Sequence, residues 1–402
     1  MSPAPRSGKS PSRRKAESTP EPPPPGGDAV LSARARVAID DGVLGQDTAQ
    51  HRLGQALGSG RPHHAWIVSG PMGVGKCTLA VRFAALLVDP ESTPASLRDF
   101  APRTDSRSAE LLRQGTHPDV HLIRKELAAT SADRELRDRK QLNIPIGLLR
   151  EQMIGGSSGD GHVHESRVSH SSVLGAGKVF IIDEAELLDA DGQNALLKTL
   201  EEPPPHTTII LVASHEDRLL PTIRSRCQRV SCGPLDPASM RAWVDRRIDP
   251  STPAREWIIG FAGGSPGLAL EAIEHDLHAW NERLHAIVSD LERGTVDPAM
   301  AEAMAELVSA FAERVVKSNP DASKDAANRK ALGLLLSVLG RIVQQRLLDA
   351  SNAGSTDRVS ALTACVDALV DAERSVASNV NQKLVLANLI AQSAPLLSLR
   401  GG

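Results

Sequence analysis

Tyrosine is absent from this 402-residue chain, and five phenylalanines and four tryptophans are its only aromatic residues. So thin a supply excludes base stacking as the main mode of binding. Cysteine is scarce too. Cys77, Cys227, Cys232 and Cys365 include no C-x-x-C pair, and the Cys227/Cys232 spacing suits neither a zinc knuckle nor a secreted disulfide framework. No uninterrupted apolar run of about 18 residues and no signal-peptide pattern occurs, so a soluble, cytoplasmic protein without membrane contact is expected. Net charge is only −3, which leaves no global basic field; any contact with nucleic acid has to be local.

What is present is enough apolar material, 41% of residues, for a sizeable core, and a length that suits two or three domains. Residues 1–29 are rich in proline and serine with a basic cluster at Arg13, Arg14 and Lys15, a composition that buries no core and is expected to be a disordered tail. Gly, Ser and His dominate residues 155–177. His162, His164 and His170 lie there without a cysteine or acid at ligand spacing, so a flexible surface insertion is expected rather than a metal site.

Two stretches carry the chemistry. The β-branched run Val179 to Ile182 ends in Asp183 and Glu184, the pattern of a buried strand that delivers carboxylates at its C-terminal end. In a Walker B arrangement the first carboxylate holds Mg²⁺ and the second polarises an attacking water. Upstream, Gly70-Pro-Met-Gly-Val-Gly-Lys-Cys77 sits between an apolar run, Ala65 to Ser69, and a helical pattern from Leu79 to Leu87. Strand, glycine turn and helix make a P-loop, in which Gly70, Gly73 and Gly75 let backbone N–H groups face phosphate and Lys76 reaches the β/γ-phosphates of ATP. One position departs from the pattern: where a Ser or Thr hydroxyl should bind Mg²⁺ there is Cys77, a soft ligand for a hard ion. Thr78 is about 100° further round the helix and is no simple substitute.

The remaining signals complete an α/β reading. Val120 to Ile123 and Thr208 to Ala213 are further apolar strands, and residues 124–141 an exposed helix or loop. Asp189 or Asp191 can cap a helix that runs to Leu200 and is stopped by Pro203 to Pro205. Alternating strands and helices around a P-loop predict a parallel, doubly wound sheet. After it, Leu219-Leu-Pro-Thr-Ile-Arg-Ser-Arg-Cys227 is either a basic surface turn or an arginine finger. From Val230 onward the pattern is helical: Trp243, Trp257, Ile258 and Phe261 suit a small core, and stripes run over Ala299–Val316, Lys330–Leu348 and Val359–Leu397.

Taken together, His64-Ala, the P-loop, Gly115-Thr-His-Pro-Asp119, the Asp183-Glu184 strand, Asn194-Ala-Leu-Leu-Lys-x-Leu-Glu-Glu-Pro-Pro204 and Leu220-Pro-Thr-Ile-x-Ser-Arg-Cys227 resemble the clamp-loader subunits of bacterial DNA polymerase III, most of all the delta-prime subunits. The resemblance spans about residues 43–275. It implies an AAA+ core over residues 30–232, a helical lid over 233–290 and an all-α collar over 291–402, in a hetero-oligomer with gamma/tau and delta subunits that loads the β sliding clamp onto primed DNA. It also implies that Ser214 sits near sensor 1 and that Arg226 is a finger acting in trans on a neighbour's ATP. Three departures bear on this. Cys77 replaces the Mg²⁺ ligand, Gly267 stands where motor subunits carry a sensor-2 arginine, and residues 89–114 hold no cysteine where the family usually has a zinc module, so no zinc is expected. A delta-prime-like stator with weak or no ATPase is the expectation. The alternative is a hydrolysing gamma/tau-like motor that uses Lys76, Asp183 and Glu184 itself.

Overall fold

The computed structural model describes residues 28–398 apart from 61, 139–140, 158–160, 162, 319–321 and 378–380. Residues 1–27 of the expected tail, and His162, lie outside the described residues.

In chain order the strands are β1 (Ala65–Ser69), β2 (Val120–Ile123), β3 (Gly156–Ser157), β4 (Val163–His164), β5 (Lys178–Ile182), β6 (Thr207–Ala213) and β7 (Gln228–Ser231). Five of them form one parallel sheet in the order β2-β5-β6-β1-β7, and β3 and β4 make a small antiparallel ribbon beside it. Every residue of β1, β5 and β6 is buried, which is why these strands read as continuous apolar runs rather than alternating ones. The two-residue period still sorts their side chains. Trp66, Val68, Val179, Ile181, Ile210 and Val212 enter one core with the helix Lys76–Val88. Ala65, Ile67, Phe180, Ile182, Ile209 and Leu211 enter the opposite core with Leu196 and Leu200 of the helix Ala190–Glu201. Asp189 caps that second helix, accepting the Gly192 N–H at 2.7 Å. Because the strands are parallel, the P-loop after β1, the acids after β5 and Ser214 after β6 all gather at one edge of the sheet.

Residues 89–114 fold as the helices Pro94–Arg98 and Arg107–Gln114, with Phe100, Ala109 and Leu112 buried against the first core. The segment 124–141 is less exposed than its charge suggests, since Ala128 and Leu136 are buried in the second core. The glycine- and serine-rich stretch has fixed attachments: Asp119 accepts the Val173 and Leu174 N–H groups at 2.7 and 2.9 Å, and Val168 is buried.

The C-terminal half is helical throughout: Pro237–Asp245, Arg255–Ala262, Pro266–Glu274, Leu277–Glu292, Ala299–Ser318, Lys324–Asn352, Thr356–Ala377 and Gln382–Leu397. The stripe drawn continuously from 359 to 397 is two helices, the second capped by Asn381, whose side chain accepts the Lys383 N–H at 2.9 Å. Residues of the expected lid and collar form a single hydrophobic cluster from Leu235 to Leu397, and Leu277–Glu292 runs through the boundary expected at 290. Polar ties reinforce the union: Lys330 pairs with Glu271 at 2.7 Å, and Glu292 holds Arg358 at 2.5 Å and Arg346 at 3.4 Å. Among the described residues one helix, Lys324–Asn352, is long and apolar enough to cross a membrane. Its Leu332, Leu335, Val338, Leu339 and Ile342 are buried among the neighbouring helices, which accounts for its composition.

Candidate functional site

The P-loop leaves β1 through Gly70, whose φ of +146° and closeness to Cys232 leave no room for a side chain: a Cβ would meet the Cys232 carbonyl oxygen at 2.1 Å. Gly73 and Gly75 follow, and Lys76 opens the helix Lys76–Val88. The Lys76 side chain is buried and turned onto the protein itself. Its ammonium donates to the Pro71 carbonyl at 2.8 Å and to Ser214 Oγ at 3.0 Å. Burial lowers its pKa, while Glu186 and then Asp183 push it back up.

Cys77 faces Asp183. Burial, then the Asp183 charge, pushes the thiol well above its ordinary range, so it stays protonated. Burial and the adjacent Glu184 raise the Asp183 pKa. The backbone cradle and Lys76 thus fit a phosphate anion, but the donor set does not fit Mg²⁺, because a neutral, soft thiol stands where a hard cation needs an oxygen. Thr78 is buried in the same first turn. Glu184, the expected water-polarising acid, adopts φ +52° and pairs with Lys125 at 2.5 Å.

Glu186 was not among the residues read from the sequence, yet it belongs to this cluster. Its Oε1 accepts the Ser214 N–H at 2.8 Å, and its Oε2 is buried without a partner. The only signal for it was the third acid of Asp183-Glu-Ala-Glu186. The structure therefore brings Lys76, Cys77, Asp183, Ser214 and Glu186 together.

Arg226 lies elsewhere on the surface. It follows the short helix Pro221–Arg224, pairs with Glu201 at 2.5 Å and donates to the Thr222 carbonyl at 2.9 Å. Gln193, also missed, positions this block: its Oε1 accepts the Leu220 N–H at 2.8 Å while its amide reaches the Leu188 carbonyl at 3.2 Å. The Gly115–Asp119 motif is structural. His117 is buried between Ser108 Oγ at 3.0 Å and the Asp119 N–H at 3.1 Å, and burial takes its pKa from the usual 6.5 to about 4. Unfolding frees a histidine that binds its proton more readily, so stability is fully present above pH 6.5 and falls as pH drops towards 4. The loss is expected to reach at most about 3 kcal/mol. Denaturant midpoints of wild type and His117→Gln between pH 7.5 and 4.5 check this: the variant should lose part of the slope, and parallel curves would refute it.

His164 and His170 gather no metal set: among the described residues, no group of three or more His, Cys, Asp or Glu is placed to hold an ion.

A family described as "DNA polymerase III, delta subunit" matches residues 45–236. The Pseudomonas aeruginosa DNA polymerase III subunit delta' is 31% identical over 54% of this chain and 58% of that protein. Over residues 45–236 the chain is thus similar to subunits of DNA polymerase III. The Escherichia coli subunit delta' is 29% identical over 54% of this chain and 57% of its own length. The Mycobacterium tuberculosis subunit gamma/tau is 27% identical over 82% of this chain and 53% of its own length. The chain thus spans just over half the length of these curated relatives. Among solved structures, a gamma subunit-related protein from Thermotoga maritima covers 88% of this chain and 99% of its own, at 19% identity and a TM-score of 0.41.

Proposed function

We propose that this clamp-loader family chain is a delta-prime-like stator. It takes part with gamma/tau and delta subunits in placing the β sliding clamp on primed DNA, contributes Arg226 to a neighbouring subunit's ATP, and hydrolyses ATP poorly or not at all. The observation that carries this reading is Cys77 itself, a buried thiol held protonated where Mg²⁺ would need a hydroxyl oxygen. Residue 267, being glycine, also has no side chain to offer a phosphate.

The gamma/tau-like alternative is favoured by one set of facts. Lys76, Asp183 and Glu184 are all present, and the gamma/tau relative matches 82% of the chain. The two readings separate in a loader reconstituted with clamp and primed DNA. For a stator, Lys76→Ala leaves ATP turnover close to wild type. A collapse of turnover in Lys76→Ala identifies a working motor and overturns the proposal.

A further inference from the structure

The outer face of the helix Ala299–Ser318 carries its charge in two halves. Glu302 and Glu306 are exposed at its beginning, and Arg314 and Lys317 are exposed at its end. Ser309 and Ala310, both small and exposed, lie between them. Positions 302, 306, 310, 313 and 317 follow at three- and four-residue steps and so share one face, with Arg314 at its rim. Beside this face runs a cleft of about 570 Å³ against the helix Leu277–Glu292, with Trp280 and Leu307 in its floor and Arg283, Arg314 and Lys317 on its walls. Among the described residues, none of Glu302, Glu306, Arg283, Arg314 and Lys317 has an ion pair or a side-chain hydrogen bond. Elsewhere in the same half charges do pair, Lys330 with Glu271 and both Arg346 and Arg358 with Glu292. Open acids at one end and open bases at the other are complementary to the same surface turned end for end.

We propose that this face and its cleft receive a second copy of the chain, the two Ala299–Ser318 helices packing antiparallel about a two-fold axis at Ala310. In that register Glu306 of each copy comes opposite Arg314 of the other, and Glu302 comes within one residue of Lys317. Each copy gives both halves of the contact, as a two-fold interface requires. Alanine on the axis lets the helices approach, and Arg283 adds a cation to the wall that meets the incoming acids. Nucleic acid is a poorer occupant. Two carboxylates, Asp276 and Glu313, also line the cleft and oppose a phosphate backbone, and its tryptophan is buried rather than offered for stacking. The inference uses neither Lys76, Cys77, Asp183 nor Arg226, so it goes beyond the stator reading and either can fail alone.

Sedimentation equilibrium of the full-length chain reads this. Wild type is expected to dimerise as its concentration rises, and less so at about 0.5 M than at about 0.05 M salt, since exposed pairs are screened. Reversing either half, by Glu302→Lys with Glu306→Lys or by Arg314→Glu with Lys317→Glu, is expected to weaken dimerisation at least about tenfold, equivalent to about 1.4 kcal/mol. Mixed together, the two reversed chains are expected to pair with each other, because one set of open charges is then wholly basic and the other wholly acidic. In the otherwise unaltered chain, Ala310→Cys is expected to oxidise to a disulfide-linked dimer. Glu302→Cys is not, since its two copies would lie about 24 Å apart along the antiparallel helices. A wild-type chain that stays monomeric, a dimer that ignores both reversals, or folded reversed chains that stay apart when mixed each overturns the proposal. So does a monomer whose Arg314→Glu with Lys317→Glu variant loses binding of a primed DNA oligonucleotide, which assigns the cleft to DNA.

Discussion

Arg226→Ala is expected to lower the ATP turnover of the assembled loader by about 10³-fold or more, with this chain still folded and incorporated. The size follows from what an arginine finger supplies, a fixed planar charge on oxygens that become more negative in the transition state. The tolerance follows from where Arg226 sits. Its side chain is 36% exposed and its Glu201 partner 51%, so their ion pair contributes at most about 1 kcal/mol to the fold. Glu201 and the Thr222 carbonyl hold the guanidinium at the surface without burying it, which leaves it free to exchange a carboxylate for a partner's phosphate. Arg226→Lys is the informative control. It keeps the charge but loses the fork, and should recover little of the rate. Turnover that survives Arg226→Ala in an intact complex removes the finger from the proposed function.

Phe311→Ala should destabilise the C-terminal half by about 3–5 kcal/mol. Phe311 is fully buried, with the Trp280 ring edge-on at 6.1 Å and the His275 ring at 4.4 Å between centroids. It belongs to Ala299–Ser318, whereas Trp280 and His275 come from the lid side of the cluster, so the cavity opens at their junction. Because residues from Leu235 to Leu397 share one core, the helices on either side of residue 290 are expected to melt together rather than the later ones alone. Denaturant unfolding followed by tryptophan fluorescence, with hydrogen exchange resolving the two regions, reads this directly. Trp243, Trp257 and Trp280 lie in that half, and Trp66 in the sheet serves as the separate reporter. A lid that keeps its protection while the collar opens would show two cores where one is described here.

The parts of the protein legible in its sequence are those governed by neighbours along the chain. Val179–Ile182 with Asp183 and Glu184 and the Thr208–Ala213 run declare strands by apolar residues, and Gly70 to Lys76 declares a turn by glycine; the sheet contains both strands and the turn follows β1. The parallel architecture follows, because only strands covered on both faces read as unbroken apolar runs. The same logic found the helices after residue 233 but not their grouping, since an apolar stripe shows that a face is buried and not what it is buried against. Residues 359–397 read as one stripe for that reason, and the break before Asn381 was hidden by apolar spacing on either side.

What only the tertiary structure decided are contacts between residues far apart in sequence. Lys76 and Ser214 are 138 positions apart, and Ser265 and Met72 are 193. No periodicity relates such pairs. They meet because parallel strands deliver their loops to one edge of the sheet, and because the lid helix is carried back over that edge. Glu186 shows the point from the other side: its carboxylate reads as one more acid after a strand, and only the return of Ser214 from the next strand makes it part of the site. Local side-chain chemistry wrote the nucleotide motif into the sequence, and the packing of lid and sheet determined that its loop and lysine are held by the protein itself.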